Sequence, residues 1–407
     1  MSRLCLPVVV IITVALMALD NAAAQPAQPA KARVDQFGDP LPDGGLARIG
    51  STRYRHGGMD LLAFTPDGKS LIFHGGGAIR LMEVASGKQG KSVAIGDNES
   101  RSFRRFEFDG SSVALSDDTK VLAFVSMSGN TSVTVVETAT GKERKTFRSN
   151  ELFKNNPGFF QASLALSPDG KYLLVFPGRN GGDRLPLAWM DTTNGQRVHE
   201  IAMEKNARIG YAQFTRDGKQ VVALEYNEGK GNGNNPKLRV FDAVMGAELR
   251  TVEVQGISNF SYELRPDGKT LVASSQQGGP VRLYDYSGKE LKEVKAYSDQ
   301  SQFGSNVMTR DGKQIYIASR GKIVHWDIDA GKEIQKFDAP GMINEDAPFF
   351  GGRLRTHILA VSADGKQLAF AGPHAAVVYD TKTGKHVAGG GAGAGIGILK
   401  FTPDDKG

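Results

Sequence analysis

Residues 167–176 read Ser167-Pro168-Asp169-Gly170-Lys171-Tyr172-Leu173-Leu174-Val175-Phe176, a turn sequence running directly into an apolar stretch. Proline presets φ for the first corner of a tight turn. Asp-Gly supplies a short polar side chain and the positive φ that a hairpin needs. An apolar, β-prone run after such a turn reads as the second strand of a hairpin.

The same signal recurs along the chain. Thr65-Pro66-Asp67-Gly68-Lys69, Ser116-Asp117-Asp118-Thr119-Lys120 and Thr215-Arg216-Asp217-Gly218-Lys219 are three further copies. Arg265-Pro266-Asp267-Gly268-Lys269, Thr309-Arg310-Asp311-Gly312-Lys313 and Ser362-Ala363-Asp364-Gly365-Lys366 complete a set of seven. Short apolar runs flank them, such as Leu61-Leu62-Ala63-Phe64 before the first and Leu71-Ile72-Phe73 after it. A second motif follows each hairpin, an apolar or aromatic residue beside an acid: Met82-Glu83, Val136-Glu137, Met190-Asp191, Phe241-Asp242, Tyr284-Asp285, Trp326-Asp327 and Tyr379-Asp380. In six copies a glycine stands four residues after the acid, and in the other Gly288 follows Asp285 by three. That is a third strand ending in a second turn, after which a shorter fourth strand leads out. Four strands per unit, with turn aspartates 44 to 53 residues apart, describe the blade of a β-propeller. A helical solenoid of similar period would show apolar residues at i, i+3 and i+4.

These residues carry a family resemblance. Ser-Pro-Asp-Gly-Lys followed by an aromatic–Asp pair before Thr-Gly-Lys resembles the repeats of bacterial WD40 proteins. Arg55-His56-Gly57-Gly58 resembles the Gly-His element that opens a WD40 repeat. Only Trp326-Asp327 is a literal Trp-Asp, so the His-Asp-Ser-Trp network of such blades is mostly missing. Residues 130–138 also resemble surface-layer and lactonase-type (YVTN) repeats, and the turn motif is similar to that of TolB-type periplasmic propellers. The resemblance implies an all-β fold, a single propeller of seven four-stranded blades over residues 47–385. Strand counting assigns its closure to an N-terminal strand, residues 48–54, completing the last blade and removing an exposed edge. Residues 25–46 read as a linker and 386–407 as a Gly-rich tail or the start of an incomplete repeat.

The first residues read as an address. Arg3, an apolar run from Leu4 to Leu19, and Asn21-Ala22-Ala23-Ala24-Gln25 have the parts of a signal peptide, residues 1–24, cleaved after Ala24. The single cysteine, Cys5, lies inside it, so the mature chain is expected to lack thiols and disulfides. A periplasmic or secreted location, with no membrane span after cleavage, is the expectation. Fifty basic against 44 acidic residues, formal net charge +6, form no basic block of the kind nucleic-acid binders carry.

Functional chemistry is sparse. The histidines are scattered, with no close metal-ligand spacing, and no Gly-x-Ser-x-Gly elbow occurs. The repeated turn aspartates have a structural reading. Gly393-Ala394-Gly395-Ile396-Gly397 lacks the helix of a phosphate loop, and Asn227 to Asn235 holds one acid, too few for calcium. No catalytic residue, metal ligand or cofactor is assigned. The long connections are 96–111, 149–160, 177–185, 226–236 and 338–356, all on the propeller face opposite the tight turns, and long loops on rigid scaffolds commonly carry binding. Two of them interleave guanidinium and aromatic groups, as interface hot spots do: Arg101, Phe103, Arg104 and Arg105 in one, Phe349, Phe350, Arg353 and Arg355 in the other, with Phe153, Phe159 and Phe160 as neighbours. The alternative is that the phenylalanines plug the channel as core while the arginines pair with Glu99, Glu107 or Asp109. The expectation is a monomeric binding scaffold for a protein, peptide or cell-envelope polymer. Beside it stand a lactonase-like hydrolase with a metal in the central channel and a purely structural envelope component.

Overall fold

The computed structural model describes residues 34, 35, 38, 39, 41, 53, 54, 61–75, 77–95, 112–126, 132–153, 162–177, 185–203, 207–227, 236–254, 260–275, 281–288, 292–297, 303–319, 322–338, 358–371 and 376–389. Residues 1–51 form a unit separate from 52–407. In the first, Asp35 and Asp39 close a turn, the Asp39 amide donating to Asp35 Oδ1 at 2.9 Å.

The second unit is a seven-bladed propeller. Its seven sheets each hold four antiparallel strands in sequence order. The blades span residues 61–94, 113–148, 162–201, 207–253, 260–297, 303–338 and 358–389. One four-residue helix, Ser149–Leu152, follows blade two.

Period-two alternation builds the ring. In blade one, Leu71 and Phe73 point into the wedge shared with blade seven, while Ile72 points into the wedge shared with blade two. Leu173 and Val175 of blade three likewise face blade two, and Leu174 and Phe176 face blade four. Second strands are therefore buried on both faces, which is why they read as unbroken apolar runs rather than alternating ones. Among the described residues seven apolar clusters fill the seven wedges between neighbouring blades. The cluster joining blades one and seven, from Leu62 and Phe73 to Ala369 and Val378, shows that the circle closes.

The means of closure differ from the sequence expectation. The outer strand of blade seven is His386–Gly389, paired with Ala376–Asp380, so blade seven supplies its own fourth strand and the propeller runs past residue 385. Arg53 and Tyr54 form a turn, while residues 48–52 lie outside the described residues. A trace of the expected closure survives, because the Ala376 amide donates to the Tyr54 carbonyl at 2.9 Å. A chain that already has a fourth strand in sequence needs no strand from the other end.

Candidate functional site

Both short turns of a blade lie on one face, since strands one to four run alternately up and down. The first turn consumes its own polar groups. The Thr65 hydroxyl donates to Asp67 Oδ1 at 2.6 Å and the Lys69 amide to the same oxygen at 3.0 Å. Ser116, Ser167, Thr215, Thr309 and Ser362 repeat this bond to their own turn aspartates. The Thr65 hydroxyl and the Lys69 amide hold the Asp67 carboxyl below the usual range, and Thr309 and Ser362 do so for Asp311 and Asp364. These aspartates are turn staples, not acid–base groups. The acid of the second motif staples its own turn in the same way. Asp242 Oδ1 accepts from the Val244 amide at 2.9 Å and the Met245 amide at 2.8 Å. The residue after each such acid then donates its amide to the carbonyl of the turn lysine, as Val84 does to Lys69 at 2.9 Å and Thr192 to Lys171 at 2.9 Å. Neighbouring turns also stack; a Cβ on Gly312 would stand 2.6 Å from Pro266 Cδ. The face is a rigid, self-satisfied collar.

The residues expected to bind, Arg101, Phe103, Arg104, Arg105, Phe349, Phe350, Arg353 and Arg355, lie outside the described residues, as do Phe159 and Phe160. The strands fix where their connections start and end. One runs between blades one and two, the other between blades six and seven, both from the face opposite the collar. Phe153 is a correction to the sequence reading: with 2% exposure it fills the wedge between blades two and three, beside Leu152. The helix at 149–152 turns that side chain inward, so this phenylalanine is core, in a wedge between blades and not in the channel.

At the collar end of the central channel the described residues enclose a cavity of about 300 Å³. Its walls are the inner strands of blades one, two, six and seven, with Leu61, Leu115, Val307 and Val361 among the lining residues. Its rim includes the second position of the turn in five blades, Pro66, Asp117, Arg216, Arg310 and Ala363. That position is Pro66, Pro168, Pro266 or Ala363 in four blades and is charged in three, Asp117, Arg216 and Arg310. Arg216 of blade four pairs with Asp117 of blade two at 3.3 Å. The Asp117 amide is held by the Pro168 carbonyl of the blade between them, at 3.1 Å. Arg310 is exposed and makes no ion pair among the described residues.

The inner strands carry a second polar group. At the register two residues before each turn stand Ala63, Ala114, Ala165, Gln213, Glu263, Val307 and Ala360. Five are apolar and two polar, and both polar ones belong to adjacent blades four and five. Tyr211 donates to Gln213 Oε1. Glu263 Oε1 accepts from the Met308 amide of blade six at 3.3 Å. Its side chain keeps some exposure but is set deep within the ring. Burial therefore pushes the carboxyl up to about 7, against the opposing pull of the Met308 amide and of Arg216. Burial and the Glu263 charge also hold the Tyr211 hydroxyl well above the usual phenol range.

Sequence reading missed Arg216, Arg310, Asp117 and Glu263. The signal for the first three was available: a position that is proline in three copies and charged in three others departs from what the turn alone requires.

Among the described residues the histidines do not gather. His199 Nε2 contacts the Val244 carbonyl at 2.9 Å and His325 Nε2 the Gln314 Oε1 at 3.0 Å, in different blades. Among the described residues no three His, Cys, Asp or Glu side chains come together as metal ligands. No described helix is long and apolar enough to cross a membrane.

No protein-family profile matches the chain, and no curated protein matches it. Solved structures do. Kuenenia stuttgartiensis hydrazine synthase is similar with 16% identity and a TM-score of 0.56, over 84% of this chain and 99% of that one. The β-propeller domain of Myceliophteria thermophila Cps50 (Swd1) is similar with 12% identity and a TM-score of 0.55, over 80% of this chain and 96% of that one. At such identities the likeness shows the fold alone, a β-propeller.

Proposed function

We propose that this protein is an exported binding scaffold whose ring presents its long connections to a protein, peptide or cell-envelope polymer. The observation that carries the reading is the asymmetry of the two faces. On the collar face the turn aspartates, second-motif acids and lysine carbonyls already accept from the hydroxyls and amides of the turns themselves. The opposite ends of the same rigid strands open into the connections 96–111 and 338–356, which hold the Arg–Phe series. Aromatic and arginine side chains on a fixed frame provide contact area at low entropic cost. Export follows from the signal-like residues 1–24, and the protein acts as a monomer in an oxidising compartment, for which a mature chain without cysteine is suited.

The test is affinity capture from envelope and secreted extracts with the mature chain, beside the variant Arg104→Ala, Arg105→Ala, Phe349→Ala, Phe350→Ala. A partner retained by the parent and lost by a variant of equal melting temperature supports the reading. Equal retention by both removes the assigned face.

A further inference from the structure

We propose that the collar end of the channel is a second binding site, for a small monocarboxylate with an aliphatic body. The cavity has two chemically distinct parts. Its walls are aliphatic side chains of the inner strands, and its volume of about 300 Å³ stands at the lower end of the range for small-molecule sites. Its rim carries two guanidinium groups and one carboxylate. Arg216 and Asp117 neutralise each other at 3.3 Å, and Arg310, a lining residue, makes no ion pair among the described residues. One positive charge is therefore left over an apolar recess, which suits one negative charge with a hydrocarbon tail. A guanidinium presents paired N–H donors that match a carboxylate in two parallel bonds. Glu263, the other acid in electrostatic reach of Arg216, is not among the lining residues and already accepts from Met308.

The turn geometry does not explain Arg310. Blade seven places Ala363 and three blades place proline at the same position, so a small neutral residue serves the turn equally well. The substitution Arg310→Ala accordingly keeps the fold.

The probe is hexanoate, titrated calorimetrically into the purified full chain, with inorganic phosphate and 1-hexanol as comparisons. Hexanoate is expected to bind more tightly than either, because phosphate cannot use the walls and hexanol cannot use the rim. Arg310→Ala should weaken hexanoate about tenfold, the loss expected for a charge-assisted pair, and leave the melting temperature unchanged. Arg310→Glu should abolish binding. Absence of hexanoate binding at millimolar concentration overturns the proposal. So does binding that is unchanged in Arg310→Ala, or phosphate or hexanol binding as tight as that of hexanoate.

Discussion

The amide of Ala376 donates to the carbonyl of Tyr54 at 2.9 Å, joining the third strand of the last blade to the segment that precedes the first. The same tyrosine reaches blade one, where its hydroxyl donates to the Val84 carbonyl at 2.6 Å and its amide to the Gly87 carbonyl at 3.3 Å. Tyr54 is 7% exposed and belongs to the wedge cluster between blades one and seven. Its ring lies so close to Gly87 that a Cβ there would overlap it. Among the described residues the ring seam thus rests on apolar packing and on the hydrogen bonds of this tyrosine.

Tyr54→Phe removes the hydroxyl and leaves the Val84 carbonyl without that donor. The expected loss is about 1–2 kcal/mol, read by chemical denaturation. Hydrogen exchange should rise in peptides 61–75 and 358–380 before it rises in blades three to five. A uniform increase around the ring would show that the seam is not the weak point.

Truncation after Lys385 separates the two modes of closure. The truncated chain loses the outer strand His386–Gly389, exposing the edge of Ala376–Asp380. A lowered melting temperature and a tendency to associate through the bare edge are expected. An unchanged melting temperature would mean that an N-terminal strand can complete blade seven.

Thr119 occupies the turn position held by glycine in the other six blades, with φ of 59°. A β-branched side chain is strained there. Thr119→Gly is expected to stabilise the protein by about 1 kcal/mol, the relief of strain exceeding the added chain entropy of glycine. A lower melting temperature for this variant would contradict the turn assignment.

Two groups drive the stability in opposite directions over nearly the same pH range, so in the parent their contributions largely cancel between about 4.5 and 6.5. Glu263 titrates near 7 when folded and near 4.5 when unfolded. The native state holds that proton more tightly, so stability falls as pH rises between those values, by up to about 3 kcal/mol. Glu263→Gln should remove this contribution and let the stability fall toward acid pH. His325, stacked on Tyr316 at 4.2 Å, is pushed by burial down to about 4 from an ordinary 6.5. The unfolded state then binds the proton first, and stability falls as pH drops from 6.5 toward 4, again by up to about 3 kcal/mol. His325→Phe keeps the stack and should uncover the fall in stability between about 4.5 and 7 that Glu263 causes. Denaturation midpoints from pH 4 to 8 for the parent and both variants check both signs.

Much of the fold is legible in the chain because each repeat writes its own turn chemistry. Asp-Gly at one corner and an acid four residues before glycine at the other specify strand ends without long-range information. Closure was not legible from those signals. His386-Val387-Ala388-Gly389 carries no apolar run, and its place beside Tyr379 depends on a turn shared with every other blade. Residues 48–54 offered a more β-prone segment for the same place. Phe153 shows the same limit at the site: a phenylalanine in a loop looks alike whether it plugs a wedge or meets a partner. The rim charges Asp117, Arg216 and Arg310 were readable only by comparing one turn position across seven copies, and their convergence on one cavity required the ring.

Hydrogen–deuterium exchange on the captured complex bears directly on whether the scaffold binds through the face opposite its tight turns. A bound partner is predicted to slow exchange in peptides covering 96–111 and 338–356 and to leave the collar turns around Asp67, Asp169 and Asp217 unchanged. Protection confined to the collar turns, with the long connections unaffected, would contradict binding through that face.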